Sequence, residues 1–135
     1  MIRVVSVSVD VLVNDTPPKQ VVNKGDMIGQ RSKLLNPTAQ FGMAKGVRVG
    51  SDRGVMTYTG AKSARFDGIT TLPGGTLVLR GAVSVRKGGV TAIPVAGGTG
   101  KFKGARGVLL IAPSNPKTPG RVLNTYRLKL PTLAA

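Results

Sequence analysis

The segment VAGGTGKFKGARGVLL, residues 95–110, admits two readings that lead to different folds. A glycine-rich bend beside lysines and an arginine suits either a phosphate cradle or a tight corner between two strands. A Walker-type loop needs G-x-x-x-x-G-K followed by Ser or Thr. Here Gly100-Lys101 is followed by Phe102, and Val95 occupies the place of the first glycine. A dinucleotide loop needs G-x-G-x-x-G, and after Gly98 and Gly100 the next glycine, Gly104, comes one residue late. Both loops must also open a helix, whereas ARGVLLIA reads as a strand. The bend is therefore a β corner. Gly97, Gly98 and Gly100 supply backbone freedom, and Gly104 and Gly107 allow close approach or a bulge.

Working outward from the corner, alternation with a period of two dominates the chain. In RVVSVSVDVLV, Val5, Val7, Val9, Val11 and Val13 share one face and Ser6, Ser8 and Asp10 the other. GTLVLRGAVSVR opposes Leu77, Leu79, Val83 and Val85 to Thr76, Arg80, Ser84 and Arg86. RVLNTYRLKL groups Val122, Asn124, Tyr126, Leu128 and Leu130 against Arg121, Thr125, Arg127 and Lys129. Turn chemistry separates the runs, as NDTPP (14–18), NP (36–37), GSDRG (50–54), DG (67–68), PGG (73–75), KGG (87–89), GGTG (97–100) and PSNPKTPG (113–120). Strands are expected at 2–13, 25–35, 46–50, 54–59, 63–71, 76–86, 90–96, 105–112 and 121–130. A helical turn is expected, if anywhere, between Asn36 and Lys45. Many short strands at hairpin spacing predict an all-β, antiparallel barrel or sandwich, and closure into a barrel hides the edges that valine-rich strands would expose.

The 135 residues fit one domain, expected to span 1–135, with room for a proper core. There is no cysteine and no histidine, which excludes disulfides, thiol nucleophiles, imidazole acid–base chemistry and the usual zinc sites. The only side-chain carboxylates are Asp10, Asp15, Asp26, Asp52 and Asp67. The net charge is +15 and lopsided: residues 1–60 carry eight Lys/Arg and four Asp, residues 61–135 twelve and one. Such a field suits either a solvated surface or an anionic partner. The N-terminal MIRVVSVSVDVLV alternates and holds Asp10, so it reads as a strand, not as a signal peptide or a membrane span. A cytoplasmic location is expected. The run RGVLLIA is apolar on both faces; one face fills the barrel and the other needs cover, so an oligomer is expected.

IPVAGGTGKFKGARGVLL (93–110) resembles the signature block of the dirigent and allene oxide cyclase barrels. KGDMIGQRSKLLN (24–36), VGSDRGVMTY (49–58), TLPGGTLVLRGAV (71–83) and NTYRLKL (124–130) are similar to further family segments in the same order. The resemblance spans residues 24–130. It implies an eight-stranded antiparallel barrel of the calycin type, a trimer before a dimer, no organic cofactor and no metal. It also implies a hydrophobic small molecule held in the barrel and steered through cyclisation, coupling or elimination.

The arginine of the family's A-R-G segment corresponds to Arg106, where a cation would stabilise a developing oxyanion; the competing reading is a rim arginine in solvent. The family's early Asp-Asp-Pro-Leu is replaced by Arg31-Ser32-Lys33-Leu34, and the position after GGTG, acidic in some dirigents, is Lys101. The glutamate and cysteine of plant allene oxide cyclases have no counterpart. Strand parity adds Gln30, Ser32, Asn124 and Tyr126 as interior polar groups, with Tyr58 and Asp26 as further candidates; each also reads as a satisfied polar residue at a barrel end, and Tyr126 as a core aromatic. The function expected is a cofactor-free cyclase or isomerase acting on a small apolar metabolite, with Arg106 and Tyr126 catalytic. Two alternatives stand beside it: a non-catalytic stereo-directing protein, and a basic barrel that binds nucleic acid. Against the last, the chain has only three Phe, two Tyr and no Trp for base stacking.

Overall fold

The computed structural model describes residues 2–14, 24–38, 40–60, 63–113 and 121–130, with the side chains of the first strand described as far as Val7. Eight strands follow one another: β1 (Ile2–Asn14), β2 (Met27–Leu35), β3 (Arg48–Gly60), β4 (Ser63–Leu72), β5 (Gly75–Arg86), β6 (Val90–Gly100), β7 (Arg106–Ile111) and β8 (Arg121–Lys129). Each pairs antiparallel with the next, and β8 returns to β1 with Ile2 opposite Tyr126 and Val7 opposite Arg121. The sheet is thus a closed barrel, as expected. A single 3₁₀ turn, Lys87–Gly89, interrupts the β5–β6 connection. The described residues between Asn36 and Lys45 form no helix. Its turns are gathered by Asn36, whose Nδ2 donates to the carbonyls of Gln40, Met43 and Ala44 at 3.1 Å each. The expected turns at 14–18 and 113–120 lie almost wholly outside the described residues.

The expected strands 46–50 and 54–59 are one strand, β3, running through GSDRG. The glycines there serve close approach instead of reversal. Gly54 is opposite Gly68 on β4. A Cβ on Gly54 would meet Asp67 O at 2.7 Å and Phe66 Cε2 at 2.8 Å; one on Gly68 would meet Arg53 O at 2.6 Å. The Phe66 ring, itself buried, lies over the space these two glycines leave empty.

The β corner is also displaced. β6 continues through the glycines to Gly100, pairing Leu77 with Gly98 and Gly75 with Gly100. The reversal comes at 101–104, tied by Lys101 N–H to Gly74 O (2.8 Å) and Ala105 N–H to Phe102 O (3.0 Å). Gly98 is needed because a side chain would collide with the carbonyl of Phe102, and Gly100 and Gly104 take positive φ of 60° and 78°. The turn thereby drops Phe102 into the barrel, buried to 2% exposure.

Antiparallel alternation puts the connections 36–47, 73–74 and 101–105 at one end. There Leu34, Val49, Leu72, Phe102 and Ala105 are all buried, and Phe41 packs against them, so this end is closed by apolar side chains. Burying one such large side chain contributes roughly 1.5–3 kcal/mol. Parity in β1 separates the two faces unexpectedly. Val4 and Ser6 are buried while Val5 and Val7 are half-buried. Val4 and Ser6 look into the barrel and Val5 and Val7 look out, with Ser6 on the polar side of an interior whose other side is apolar.

We expect Gly54→Ala to lower stability by about 1–3 kcal/mol, since the added methyl meets backbone as well as ring and so overpacks the wall. Urea denaturation checks this, and an unchanged midpoint would mean that the Phe66 ring does not lie against the glycine pair.

Candidate functional site

The interior side chains are set by strand parity and by register across neighbouring strands. On β2 the inward set runs through Ser32 and Leu34, both buried, with half-buried Gln30 on the same parity. Ser32 is directly opposite Asp52 on β3, and Asp52 is opposite Thr70 on β4. Ser32, Asp52 and Thr70 therefore form one cross-strand row on one wall of the lumen. From β8 come Asn124 and Tyr126, buried to 3% and 0% exposure.

Tyr126 links the two walls. Its hydroxyl lies 3.0 Å from Thr70 Oγ1. β4 stands four strands from β8 in either direction around the eight-stranded ring, so the phenol spans the barrel from one side to the other. The Asp52 charge acts on that hydroxyl. Below the phenol is the closed apolar end. On the other side are Asn124 and the end of the barrel where β1 passes into β2.

Burial raises the Asp52 carboxyl from 3.8 to about 6, with the Ser32 hydroxyl as the weaker counterweight that favours ionisation. The contact between Ser32 Oγ and the carboxylate falls short of a well-formed hydrogen bond: Ser32 Oγ has no partner of acceptable geometry among the described residues. Asn124 Oδ1 is in the same condition. A buried polar atom left unpaired costs about 1–3 kcal/mol. Burial also pushes the Tyr126 hydroxyl well above its ordinary range; hydrogen bonding to Thr70 works against the shift, and the Asp52 charge adds to it. Tyr126 is thus a neutral hydrogen-bond donor at every physiological pH, whereas Asp52 changes charge near neutrality.

Of the residues expected from sequence, Ser32, Asn124 and Tyr126 converge inside, with Gln30 next on the β2 wall. Asp26 and Tyr58 lie together at the end opposite the Phe102 turn, where Gly25 N–H donates to Tyr58 O and Tyr58 N–H to Asp26 O, each at 2.8 Å. Asp26 is buried and Tyr58 half-buried. Arg106 stands apart. It begins β7 at the closed end, opposite Lys129, with parity contrary to the buried Leu109. The side chain is exposed on the outer face, and its Nη1 donates to Ala105 O at 2.8 Å. The reason is register: Ala105 and Leu109 take the inward positions, so the residue between Ala105 and Gly107 must face out.

Asp52 was missed because GSDRG reads as a turn. Counting parity back from Tyr58 through Met56 and Gly54 without a break would have found it inside. No three potential metal-ligating side chains gather among the described residues.

Compared with known proteins, the chain matches the family model "Dirigent-like protein" over residues 24–130. A direct comparison with curated proteins gives no match. Among solved structures, a pyocyanin demethylase superposes with a TM-score of 0.68 at 17% identity, over 95% of this chain and 100% of that one. A pterocarpan synthase dirigent protein gives 0.69 at 18%, over 94% and 80%. The Diels Alderase AbmU from Streptomyces koyangensis gives 0.65 at 18%, over 94% of this chain and 61% of that one. At these identities the superpositions speak for the fold alone, whereas the family model covers most of the sequence, and the chain belongs to the dirigent-like family.

Proposed function

We propose that this barrel is a cofactor-free cyclase or isomerase that binds a small, largely apolar carbonyl compound in its lumen. The observation that carries the reading is the presence of an ionisable carboxyl, Asp52, and a permanently neutral donor, Tyr126, on the inner face of the barrel, where the charge of one acts on the other. Two more buried polar atoms there, Ser32 Oγ and Asn124 Oδ1, lack partners among the described residues.

The chemistry follows from the charges. As a carboxylate, Asp52 removes a proton from carbon next to the carbonyl, or from a phenolic or enolic hydroxyl. The bond to hydrogen breaks towards the carboxylate oxygen, and the electron pair moves onto the substrate oxygen. The Tyr126 hydroxyl, held by Thr70, donates to that oxygen as its negative charge develops. Within the conformation that the apolar walls allow, the substrate oxygen or the enolate carbon attacks the β-carbon of an enone or a second carbonyl carbon in the same molecule; the π bond there opens, its charge settles on oxygen, and protonated Asp52 returns its proton to the product. Nothing is oxidised or reduced. Asn124 Oδ1 accepts only, so it selects a substrate with a hydroxyl or N–H at that point. In this scheme Asp52, on the neighbouring strand, does from β3 what the family's early acids would do from the segment now occupied by Ser32. Arg106, on the outer face, takes no part. The names of the pterocarpan synthase and the Diels Alderase support a ring-forming role on this fold.

Turnover of a prochiral hydroxy-enone or hydroxy-ketone panel by the purified protein, without an added oxidant and followed by chiral chromatography, tests the proposal. Asp52→Asn is expected to lower the rate by about 10²–10⁴-fold. Tyr126→Phe is expected to cost up to about 10²–10³-fold while substrate still binds. Binding with unchanged rate in Asp52→Asn, or product only when an oxidant supplies radicals, would replace the cyclase with a stereo-directing protein.

The rate should rise with pH to a plateau, half-maximal near the Asp52 value of about 6. Stability runs the opposite way. The folded pKa of this acid lies above its unfolded value of 3.8, so the native state holds the extra proton and loses stability as pH rises from about 4 to about 6. Asp52→Asn should therefore gain on the native protein across that window, by at most about 3 kcal/mol at 1.36 kcal/mol per unit. Parallel urea curves at pH 4 and pH 7 measure it; an equal offset at both would remove Asp52 from the buried set.

A further inference from the structure

The outer wall of β2–β5 bears a feature that the lumen chemistry does not use. Two adjoining concavities of about 740 and 720 Å³ lie there, and both are lined by Arg31, Arg53 and Ile69. The second adds Lys33, Arg48 and a row of hydroxyls, Ser51, Thr71 and Thr76. Register explains the layout. Arg31 is directly opposite Arg53, which is opposite Ile69; Lys33 is opposite Ser51, and Ser51 is opposite Thr71. Arg31, Lys33, Arg48 and Arg53 are all exposed.

Like charges directly opposite on adjacent strands destabilise a sheet. Among the described residues the arginine pair makes no salt bridge. The single salt bridge among the described residues, Arg80 Nε to Asp67 Oδ1 at 3.1 Å, already engages the one aspartate on this wall that faces out. Asp52 borders the second concavity between Ser51 and Arg53 but belongs to the inward set of β3. A repulsive pair kept beside further cations and hydroxyl donors suits a ligand with repeated negative charge.

We infer that this groove binds the phosphate backbone of a single-stranded nucleic acid, without reading its bases. Arginine forks match phosphate oxygens two at a time, and the hydroxyl row adds neutral donors. Arg31 and Lys33 are two residues apart on one strand, roughly 6.6 Å, comparable with the step between phosphates of an extended chain. Among the described residues no aromatic side chain lines either concavity, which favours contact with the backbone over base stacking. A flat lipid surface would not follow a recessed wall, and inorganic polyphosphate has a shorter charge repeat. The inference is independent of the lumen reaction.

The test is fluorescence anisotropy with a labelled oligothymidylate of about 16 nucleotides over a salt series. Three engaged cations predict a slope of log affinity against log salt of about −2. The triple variant Arg31→Gln, Lys33→Gln, Arg53→Gln should lose most of that slope and at least about tenfold in affinity. A control of equal charge change outside the groove, Arg65→Gln, Arg86→Gln, Lys87→Gln, should keep both. Should the first triple variant unfold, Arg53→Gln alone should reduce the slope by about 0.7. An equal loss in the control would leave only diffuse attraction by a +15 chain and overturn the site. Tighter binding of anionic vesicles, an acidic peptide or inorganic polyphosphate at matched charge would overturn the ligand.

Discussion

The hydrogen bond between Tyr126 and Thr70 joins opposite walls of the barrel, and the interior is organised around it. A ring of eight strands encloses a space that side chains must fill from all sides, and a polar atom there needs a partner. The phenol meets both demands, with an apolar body that belongs to the buried core and a hydroxyl satisfied at the far wall. Net, such a bond contributes about 1 kcal/mol. Its larger effect is positional, because it holds the phenol across the barrel with its hydroxyl at the far wall.

Asp52 sits where two rules conflict. Burial disfavours its charge, yet the strand carrying it cannot turn the side chain outward without reversing every neighbour on β3. The result is a carboxyl held near 6, with Ser32 as a weak counterweight. Conflicts of this kind between local preference and overall fold gather at working sites.

The sequence carried the barrel well. Alternation located the strands, and the failed match of residues 95–110 to either phosphate loop placed a β corner. What it did not carry was anything that depends on the opposite wall. Gly50 and Gly54 read as turn residues because their job, leaving room for Thr71 and the Phe66 ring, is visible only once β4 is beside β3. The same misreading hid Asp52. In β1 alternation separates two faces but cannot say which looks inward; Val5 and Val7 face out, and Ser6 lies on the polar side of the interior. For Arg106 the resemblance supplied the residue and register set its direction. Tyr126, Asn124 and Ser32 were legible because parity on β8 and β2 runs without a break.

The turn that drops Phe102 into the barrel seals one end with apolar bulk. With that end plugged, the proposed substrate would have to reach Asp52 and Tyr126 from the side where β1 passes into β2, and the ease with which product left by that route would limit turnover as much as the chemistry.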